Sequence, residues 1–440
     1  MNGPVSGPFG GQPERAEAQR NEPTYTGRYV VLLDQAEARQ GIEGLRSAVG
    51  VQSVETVSGA DPDEAKEVLA ASDTSVLFDN LGVAVVDTDP DQRHALVTAA
   101  ETSPSVVAAE PERYVYALMI TEAERTVTHS YPAYRSDEDQ VARQARAEVT
   151  AHRGPTWDEM NCTWGLQAIR ANFSTLTGRD VKVCVLDTGV DTDHPDLADR
   201  LEGTASFIDG ESVEDGNGHG THCIGTVAGP ADPANAPRYG VAGDARVLAG
   251  KVLSNRGSGT DGQILAGMSW AVSQGAKVIS MSLGASVEPG ELFPQTYEQV
   301  ARRALRLGTV MVAAAGNESR RPGVVRPVGR PANCPSILAV AALNKDLATA
   351  FFSCGAINGE GGEVNVAAPG VGIFSAAPDG SYQSLMGTSM ATPHVAGALA
   401  LYAEADPAMG ADALRDRMLA GAYPLPQLAE DVGAGLLQVP

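Results

Sequence analysis

The amino-acid sequence predicts an α/β fold with a mostly parallel central sheet, preceded by a smaller α+β domain. After Pro155 the chain contains short and almost continuous apolar runs, such as "VKVCVLD", "KVISMSLG" and "TVMVAAAGN". Runs of this kind are typical of strands that are buried on both faces of a parallel sheet. They alternate with helical stretches such as "GQILAGMSWAVSQG", which places helices over the sheet. With 440 residues, the chain is long enough for two or three domains.

The N-terminal part of the chain is predicted to form a separate small domain. Residues 1–27 are rich in Gly, Pro and charged residues, and we predict that they are disordered. Between residues 28 and 118 the pattern predicts elements in the order β-α-β-β-α-β, which is typical of a ferredoxin-like α+β domain. Residues 119–154 are polar and charged, and they predict a linker, with or without one exposed helix. The main domain is then predicted at 155–440.

The composition excludes several classes of partner. The chain carries 55 acidic and 32 basic residues, a formal net charge of −23. Such acidity disfavours nucleic acid and anionic membranes as partners. There is no run of 18 apolar residues, so we predict no transmembrane helix. The start of the chain has neither the basic nor the apolar region of a signal peptide, which predicts a cytoplasmic protein, or a secreted one if its leader is missing here.

The cysteines and histidines argue against a transition-metal site. The five cysteines lie at positions 162, 184, 223, 334 and 354. Their odd number leaves at least one free thiol in a monomer, and their spacing fits neither a disulfide scaffold nor a zinc site. His219 and His222 are about one helical turn apart, as two metal ligands could be, but no Glu lies between them and no third ligand is evident.

Polar residues follow three of the predicted strands at the point where each strand ends. Asp187 ends "VCVLD", Ser282 and Gly284 end "ISMSLG", and Asn317 ends "VAAAGN". In an open α/β sheet, functional sites form at the carboxyl ends of the strands. We therefore expect these side chains to lie at one edge of the sheet.

Two further stretches supply a histidine and a serine that fit the same site. His219 is flanked by glycines in "DGNGHGTHCIG", which allows a close backbone approach. If Thr388 is the N-cap of the helix in "GTSMATPHVAG", Ser389 is its first residue, where backbone N–H groups favour developing negative charge. A serine needs a base to take its proton, and the base needs a carboxylate to orient it. Asp187, His219 and Ser389 supply these groups, although a Gly-Thr-Ser turn alone would indicate only a helix cap.

These motifs resemble those of subtilases. "VCVLDTGVDTDHPDL", "DGNGHGTHCIGTVAG" and "GTSMATPHVAGALAL" resemble the family's Asp, His and Ser motifs, and "VMVAAAGN" resembles the segment with its oxyanion asparagine. The resemblance implies that Ser389 attacks the scissile carbonyl, His219 is the general base and then the general acid, and Asp187 orients His219. The side-chain amide of Asn317 and the backbone N–H of Ser389 would bind the oxyanion. "TWGLQAI", "RYGVAGDARVLAGKVL" and Cys223 resemble the proteinase K branch in particular.

The resemblance also implies a substrate cleft and an inhibitory domain. Two edges would hold a polypeptide between them as an added β-strand. One edge consists of Gly257, Ser258 and Gly259, and the other of Ser282, Leu283 and Gly284. Gly329 would lie at the floor of the first specificity pocket, which implies tolerance for large apolar or aromatic side chains. The domain at 28–118 resembles the family's inhibitor I9-type propeptide, with "AEPERYVYAL" near the tail that blocks the cleft. About 35 residues then separate it from the main domain, whereas in the family the propeptide usually runs almost directly into the enzyme. The sequence therefore does not assign the position of the cleavage site.

Two structural features remain open at this point. The chemistry needs no cofactor, and the family's main calcium loop is not matched by "GPADPANAPRYGVA". A weaker structural calcium site near Asn333, Glu363 and Asn365 is one option, with Asn365 replacing a commoner aspartate. The alignment also brings Cys334 and Cys354 near the same edge, where a disulfide is one option and two free thiols are the other.

The sequence therefore predicts a serine endopeptidase made as an autoinhibited precursor. Its partners would be polypeptide substrates and its own propeptide. Two alternatives are a maturation protease that cuts one partner peptide, and a catalytically silent relative used for binding. The second would need a broken triad, and Asp187, His219 and Ser389 are all present.

Overall fold

A computed structural model describes residues 24–120 and 155–440, except positions 50, 52, 72, 73, 89 and 360. The predicted disorder up to residue 23 and the predicted linker from residue 121 onward lie outside the described residues. None of the helices in the described part of the chain combines the length and the apolar character that crossing a bilayer requires.

The first part of the described chain is an α+β layer. Its strands are β1 (Tyr25–Leu33), β2 (Val54–Val57), β3 (Ser75–Phe78), β4 (Val83–Val86) and β5 (Val106–Ala117). Its helices are α1 (Ala38–Val49), α2 (Pro62–Ala70) and α3 (Arg93–Thr102). The strand order is β5-β1-β4-β3-β2, in which only β2 and β3 run parallel to each other.

The observed order is β-α-β-α-β-β-α-β, so the predicted β-α-β-β-α-β is wrong in two respects: it omits one strand, and it omits helix α2 between β2 and β3. The side chain of Asp61 caps this helix by accepting a hydrogen bond from Glu64 N at 3.1 Å, and Pro62 follows at the first helical position. An Asp-Pro pair of this kind is a helix start signal that the sequence analysis missed. The first strand also begins at Tyr25, inside the segment that was predicted to be disordered.

The sheet of this layer is buried on both faces. On one face, Val31, Leu33 and Leu77 pack with Leu45 of α1 and Leu96 of α3. The residues on the other face belong to the same hydrophobic cluster as the core of the main domain, and they include Val30, Phe78, Val83, Val85 and Val115. The layer is therefore packed against the main domain through a continuous apolar interface.

The main domain contains a seven-stranded sheet, and all of its strands are parallel. In spatial order the strands are β14 (Val366–Pro369), β13 (Ile337–Leu343), β12 (Val310–Ala314), β10 (Val278–Met281), β6 (Lys182–Asp187), β8 (Arg246–Lys251) and β7 (Leu201–Ser206). β6, β10, β12, β13 and β14 are almost wholly buried, as their continuous apolar runs predict. The predicted three-layer α/β fold is confirmed.

The remaining elements cover the sheet and border its carboxyl edge. The helices are α4 (Trp164–Ala168), α5 (His219–Ala228), α6 (Asp261–Ser273), α7 (Gln295–Arg306), α8 (Thr388–Ala405), α9 (Ala411–Ala420) and α10 (Ala429–Val432). The short strands are β9 (Ser258–Thr260), β11 (Leu283–Gly284), β15 (Ile373–Ala377) and β16 (Ser381–Leu385), of which the last two form a hairpin.

The start of helix α8 differs from the prediction by one residue. Thr388 is already helical and Gly387 is the N-cap residue, so Ser389 is the second helical residue. The hydroxyl of Thr388 does not cap its own helix; it donates to Asn317 Oδ1 at 2.9 Å. Tertiary contact therefore replaces the local cap, and it connects α8 to the end of β12.

Candidate active site

The end of β5 leaves the N-terminal layer and lies as a strand between β9 and β11. It runs antiparallel to both: Tyr116 is opposite Ser258 and Gly284, and Ala117 is opposite Leu283. The backbone N–H of Ala117 donates to Gly257 O at 2.9 Å. The two stretches that were predicted to hold a polypeptide, 257–259 and 282–284, therefore hold a segment of this same chain. We call residues 115–120 the tail.

The carbonyl of Leu118 in the tail faces two predicted site residues. Ser389 Oγ donates to Leu118 O at 2.5 Å, and Asn317 Nδ2 donates to the same oxygen at 2.7 Å. The backbone N–H of Leu118 donates to Ser282 O at 3.3 Å, which fixes the strand beside the serine. One peptide carbonyl is thus in contact with a hydroxyl and with an amide donor, both of them buried.

The side chain of Asn317 is oriented by the helix that carries Ser389. Its Oδ1 accepts hydrogen bonds from Thr388 N and Thr388 Oγ1, both at 2.9 Å. Because the amide oxygen is held in this way, the amide nitrogen points at Leu118 O. The segments that follow β10 and β12 meet here at one edge of the sheet, as the strand-end pattern predicted, and both contact the start of α8.

Asp187 and His219 form a buried pair. His219 Nδ1 lies 2.7 Å from Asp187 Oδ1, which also accepts a hydrogen bond from Thr188 N at 2.7 Å. Burial disfavours the imidazolium ion, but the nearby Asp187 carboxylate and Cys223 outweigh it, and the pKa of His219 is raised well above its usual value. His219 Nε2 is buried without a hydrogen-bond partner.

Among the described residues, no hydrogen bond joins Ser389 to His219. Ser389 Oγ donates to Leu118 O and, at 3.0 Å, to Ser282 O instead of to His219 Nε2. Cys223 lies between the two motifs, with its Sγ 4.0 Å from His219 Nδ1 and 3.6 Å from Ser389 O. The imidazole nitrogen that could accept the serine proton is therefore present and uncommitted.

Asp215 is a residue of this site that the sequence analysis missed. Its carboxylate accepts hydrogen bonds from Thr188 Oγ1 at 2.8 Å, from Thr221 N at 2.8 Å and from Gly218 N at 2.8 Å. Burial alone would raise the pKa of Asp215, but these hydrogen bonds hold it below its usual value. Asp215 thus fixes the start of helix α5 to the end of β6. An Asp just before a helix start is a capping signal that could have identified it.

His222 and His394 have structural roles. His222 Nε2 lies 2.9 Å from Ile373 O, and burial lowers the pKa of His222 to about 3. His394 Nδ1 bonds Met390 O at 2.8 Å, and burial lowers its pKa to about 4. Both rings are therefore neutral near pH 7.

The potential ligand atoms of Asp187, His219 and Cys223 lie within 4.8 Å of one another, and they form the only cluster of this type among the described residues.

The optional disulfide between Cys334 and Cys354 is not formed, and all five cysteines are free thiols. Cys334 Sγ donates to Pro294 O at 3.6 Å, whereas Cys354 Sγ donates to Glu318 Oε2 at 3.1 Å. Burial raises the pKa of both thiols well above its usual value. The two sulfur atoms therefore have different hydrogen-bond partners. The resemblance indicated only that the two segments lie near the same edge, and it did not indicate these partners.

Two further sequence-based assignments remain predictions. A Cβ added at Gly329 would lie 2.8 Å from Ala285 O, so this glycine is packed closely against the residue that follows β11. At the proposed calcium position, Asn333 Oδ1 is buried without a hydrogen-bond partner, Asn365 Oδ1 accepts from Ala339 N at 2.7 Å, and Glu363 Oε1 accepts from Gly361 N at 3.2 Å.

Comparison with known proteins identifies a family and several relatives. The model of the subtilase family matches residues 178–435. The chain is 41% identical over 254 residues to subtilisin DY of Bacillus licheniformis, which covers 58% of this chain and 87% of that protein. It is 41% identical over 260 residues to subtilisin E of Bacillus subtilis, which covers 58% of this chain and 64% of that protein. It is 40% identical over 259 residues to subtilisin Savinase of Lederbergia lenta, with coverages of 58% and 89%.

Proposed function

This chain belongs to the subtilase family of serine peptidases, and on that basis we propose that it is a serine endopeptidase made as an autoinhibited precursor. The observation that carries the proposal is the position of Leu118 O, which accepts hydrogen bonds from both Ser389 Oγ and Asn317 Nδ2. A peptide held as an antiparallel strand with one carbonyl at a hydroxyl and an amide donor is arranged for acyl transfer.

The proposed reaction uses the residues in these roles. Ser389 Oγ attacks the carbonyl carbon while His219 Nε2 takes the hydroxyl proton, and Asp187 stabilises the imidazolium that forms. The negative charge moves to the carbonyl oxygen, where Asn317 Nδ2 donates to it. His219 then gives its proton to the leaving amine, which breaks the peptide bond and leaves an acyl-enzyme. Water then attacks the acyl carbon while His219 takes its proton; the bond to Ser389 Oγ breaks, His219 returns the proton to Oγ, and the acid is released.

The tail also supports the inhibitory role of the N-terminal layer. The peptide bond whose carbonyl oxygen contacts Ser389 Oγ joins Leu118 to Met119. The chain continues beyond this bond, and Ile120 N donates to Met386 O at 3.1 Å. We propose self-cleavage at this bond, after which the product still occupies the cleft. Leu118 is a large apolar residue at the position before the cut, consistent with a preference for apolar or aromatic side chains there. We also propose that this chain belongs to the proteinase K branch of the family. The position of Cys223 beside His219 supports this assignment.

A serine-directed fluorophosphonate probe tests the proposed activity. After incubation that allows self-cleavage, we expect the probe to label Ser389, as mapped by peptide mass spectrometry, and the chain to degrade casein. The control is the heat-denatured chain, which should not be labelled. Labelling of another residue, or none, would contradict the proposal. Labelling of Ser389 without casein cleavage would instead favour the maturation protease.

Asn317→Leu is expected to lower kcat by about 10²–10³, the loss known for the oxyanion asparagine of subtilisin, a relative of this chain. Leucine has a similar shape but no donor for the oxygen that becomes charged in the transition state. KM should change little, because the backbone pairing of the substrate remains. Steady-state kinetics on a peptide, with the enzyme concentration set by titration with the probe, measures this. A raised KM with an unchanged kcat would assign Asn317 to ground-state binding only.

Glu110→Ala is expected to weaken binding of the cleaved N-terminal layer by about fivefold, corresponding to the loss of one helix cap. Glu110 accepts hydrogen bonds from Gln295 N at 2.7 Å and Thr296 N at 3.3 Å, at the start of helix α7. The measurement is the peptidase activity released when the self-cleaved chain is diluted. Glu43→Ala is the control, because Glu43 forms an exposed pair with Arg46 within α1. Equal release by both variants would show that Glu110 does not contribute to inhibition.

A further inference from the structure

The cleft beside the tail has a charge opposite to that of the whole protein. A cavity of about 470 Å³ adjoins the tail, and its charged lining residues are Arg256, Arg320, Arg326 and Glu318. Three of these four residues are basic, although acidic residues outnumber basic ones by 55 to 32 in the chain. A cleft lined by one sign of charge attracts ligands of the opposite sign.

Among these arginines, Arg256 differs in its contacts. Arg320 Nη1 donates to Asn317 O at 3.0 Å and to Ser319 O at 2.8 Å. Arg326 Nη1 lies 3.8 Å from Glu288 Oε2, with which it forms an ion pair. Arg256 is exposed, and within the described parts of the chain its side chain makes no hydrogen bond or ion pair. It is therefore a cation on the cleft wall that the protein itself does not neutralise.

Arg256 adjoins one particular position of the bound strand. It directly precedes Gly257, whose carbonyl accepts the backbone N–H of Ala117 at 2.9 Å. A Cβ added at Gly257 would lie 3.7 Å from Ala117 Cβ and 3.5 Å from Asn217 Nδ2. The side chain of the residue before Leu118 therefore leaves the strand beside Gly257, which is close to the Asn217 amide, and it lines the same cavity as Arg256. In the tail this residue is alanine, and residues 115–120 carry no charge at all.

We propose that Arg256 makes this peptidase select polypeptides with an acidic residue at the P2 position, one residue before the carbonyl that is attacked. This inference rests on the proposed function. The carboxylate of an aspartate at P2 meets Arg256 and the side-chain amide of Asn217 at the cleft wall. Glu318, the acidic residue of this lining, directly follows Asn317 in the chain, and its Oε2 accepts from Cys354 Sγ at 3.1 Å. The tail lacks the acidic group, so an acidic substrate gains a contact that the inhibitor does not make.

Three quenched peptides based on the tail test the proposal: Val-Tyr-Xaa-Leu-Met-Ile, with Asp, Asn or Lys at Xaa. The enzyme is the full chain after self-cleavage. We expect kcat/KM for the Asp peptide to exceed that for the isosteric Asn peptide by about fivefold, as for an ion pair at a protein surface. The ratio should fall towards one as NaCl rises from about 0.05 M to about 0.5 M.

Two variants and a control separate Arg256 from a general charge effect. Arg256→Gln should reduce the Asp-to-Asn ratio to about one, and Arg256→Glu should favour the Lys peptide. Arg417→Gln, an exposed position on α9 outside the cleft lining, should keep the wild-type ratio. A ratio of one in the wild type, or a ratio that survives Arg256→Gln, overturns this inference. If none of the peptides is cleaved, the proposed function fails instead.

Discussion

Ser389→Ala is expected to leave the chain uncut between Leu118 and Met119 and to lower peptidase activity by about a million-fold, the loss that subtilisin shows without its serine. Among the described residues that contact Leu118 O, the Ser389 hydroxyl is the group that can form a covalent bond to the carbonyl carbon. Intact mass and N-terminal mapping after incubation of both forms measure the result. The wild type should yield a new N-terminus at Met119, and the variant should remain full length.

The Ser389→Ala variant should still fold, which makes the result interpretable. In the part of the chain that the structure describes, Ser389 Oγ bonds only Leu118 O and Ser282 O, and α8 is otherwise held by Asn317 and by its buried apolar residues. Ser384→Ala, at an exposed serine of β16, is the matched control and should be processed like the wild type. If Ser389→Ala is cut at Leu118–Met119 at the wild-type rate, then self-cleavage by this serine is wrong.

The parts of the fold that repeat a local pattern could be predicted from the sequence. β6, β10 and β12 are continuous apolar runs, and a parallel sheet brings their carboxyl ends to one edge. This rule predicted that Asp187, Ser282 and Asn317 lie at one edge of the sheet, whereas the pairing of Asn317 with the start of α8 was implied only by the family resemblance. Helix α2 was missed because its signal is a short Asp-Pro cap, without a long apolar stripe.

The contacts between the two parts of the chain could not be predicted, because no local pattern encodes them. Arg303 of α7 donates to Leu33 O at 2.7 Å and to Gly82 O at 3.1 Å, and these partners lie more than 200 positions earlier in the chain. Gly262 N, at the start of α6, donates to the fully buried Glu112 at 2.9 Å in the same way. Such contacts depend on how two folded surfaces fit together, and a single sequence does not report that fit.

The hydrogen bond between Asp187 and His219 leads to the second large effect. Asp187→Asn is expected to lower kcat by about 10⁴, as the equivalent change does in a serine protease of unrelated fold. Asp187 Oδ1 accepts from His219 Nδ1 and thereby leaves Nε2 free to take the serine proton. An asparagine amide can donate to Nδ1 instead, which puts the imidazole proton on Nε2, the wrong nitrogen. Initial rates of peptide cleavage by the self-cleaved wild type and the variant measure the loss.

The pH dependence of the same variant distinguishes a catalytic effect from a general loss of structure. Burial lowers the pKa of His219, and the Asp187 carboxylate is the main group that raises it above its usual value. The base must be neutral, so the wild-type rate falls as the pH drops through this raised pKa. Asparagine removes the negative charge while burial remains, so the acid limb of the variant should move to lower pH. Asp180→Asn is the control, because Asp180 is an exposed turn residue whose φ of 61° asparagine also adopts. It should change neither the rate of peptide cleavage nor the acid limb of its pH profile. An Asp187→Asn limb that stays at the wild-type pH would mean that Asp187 does not control the protonation of His219.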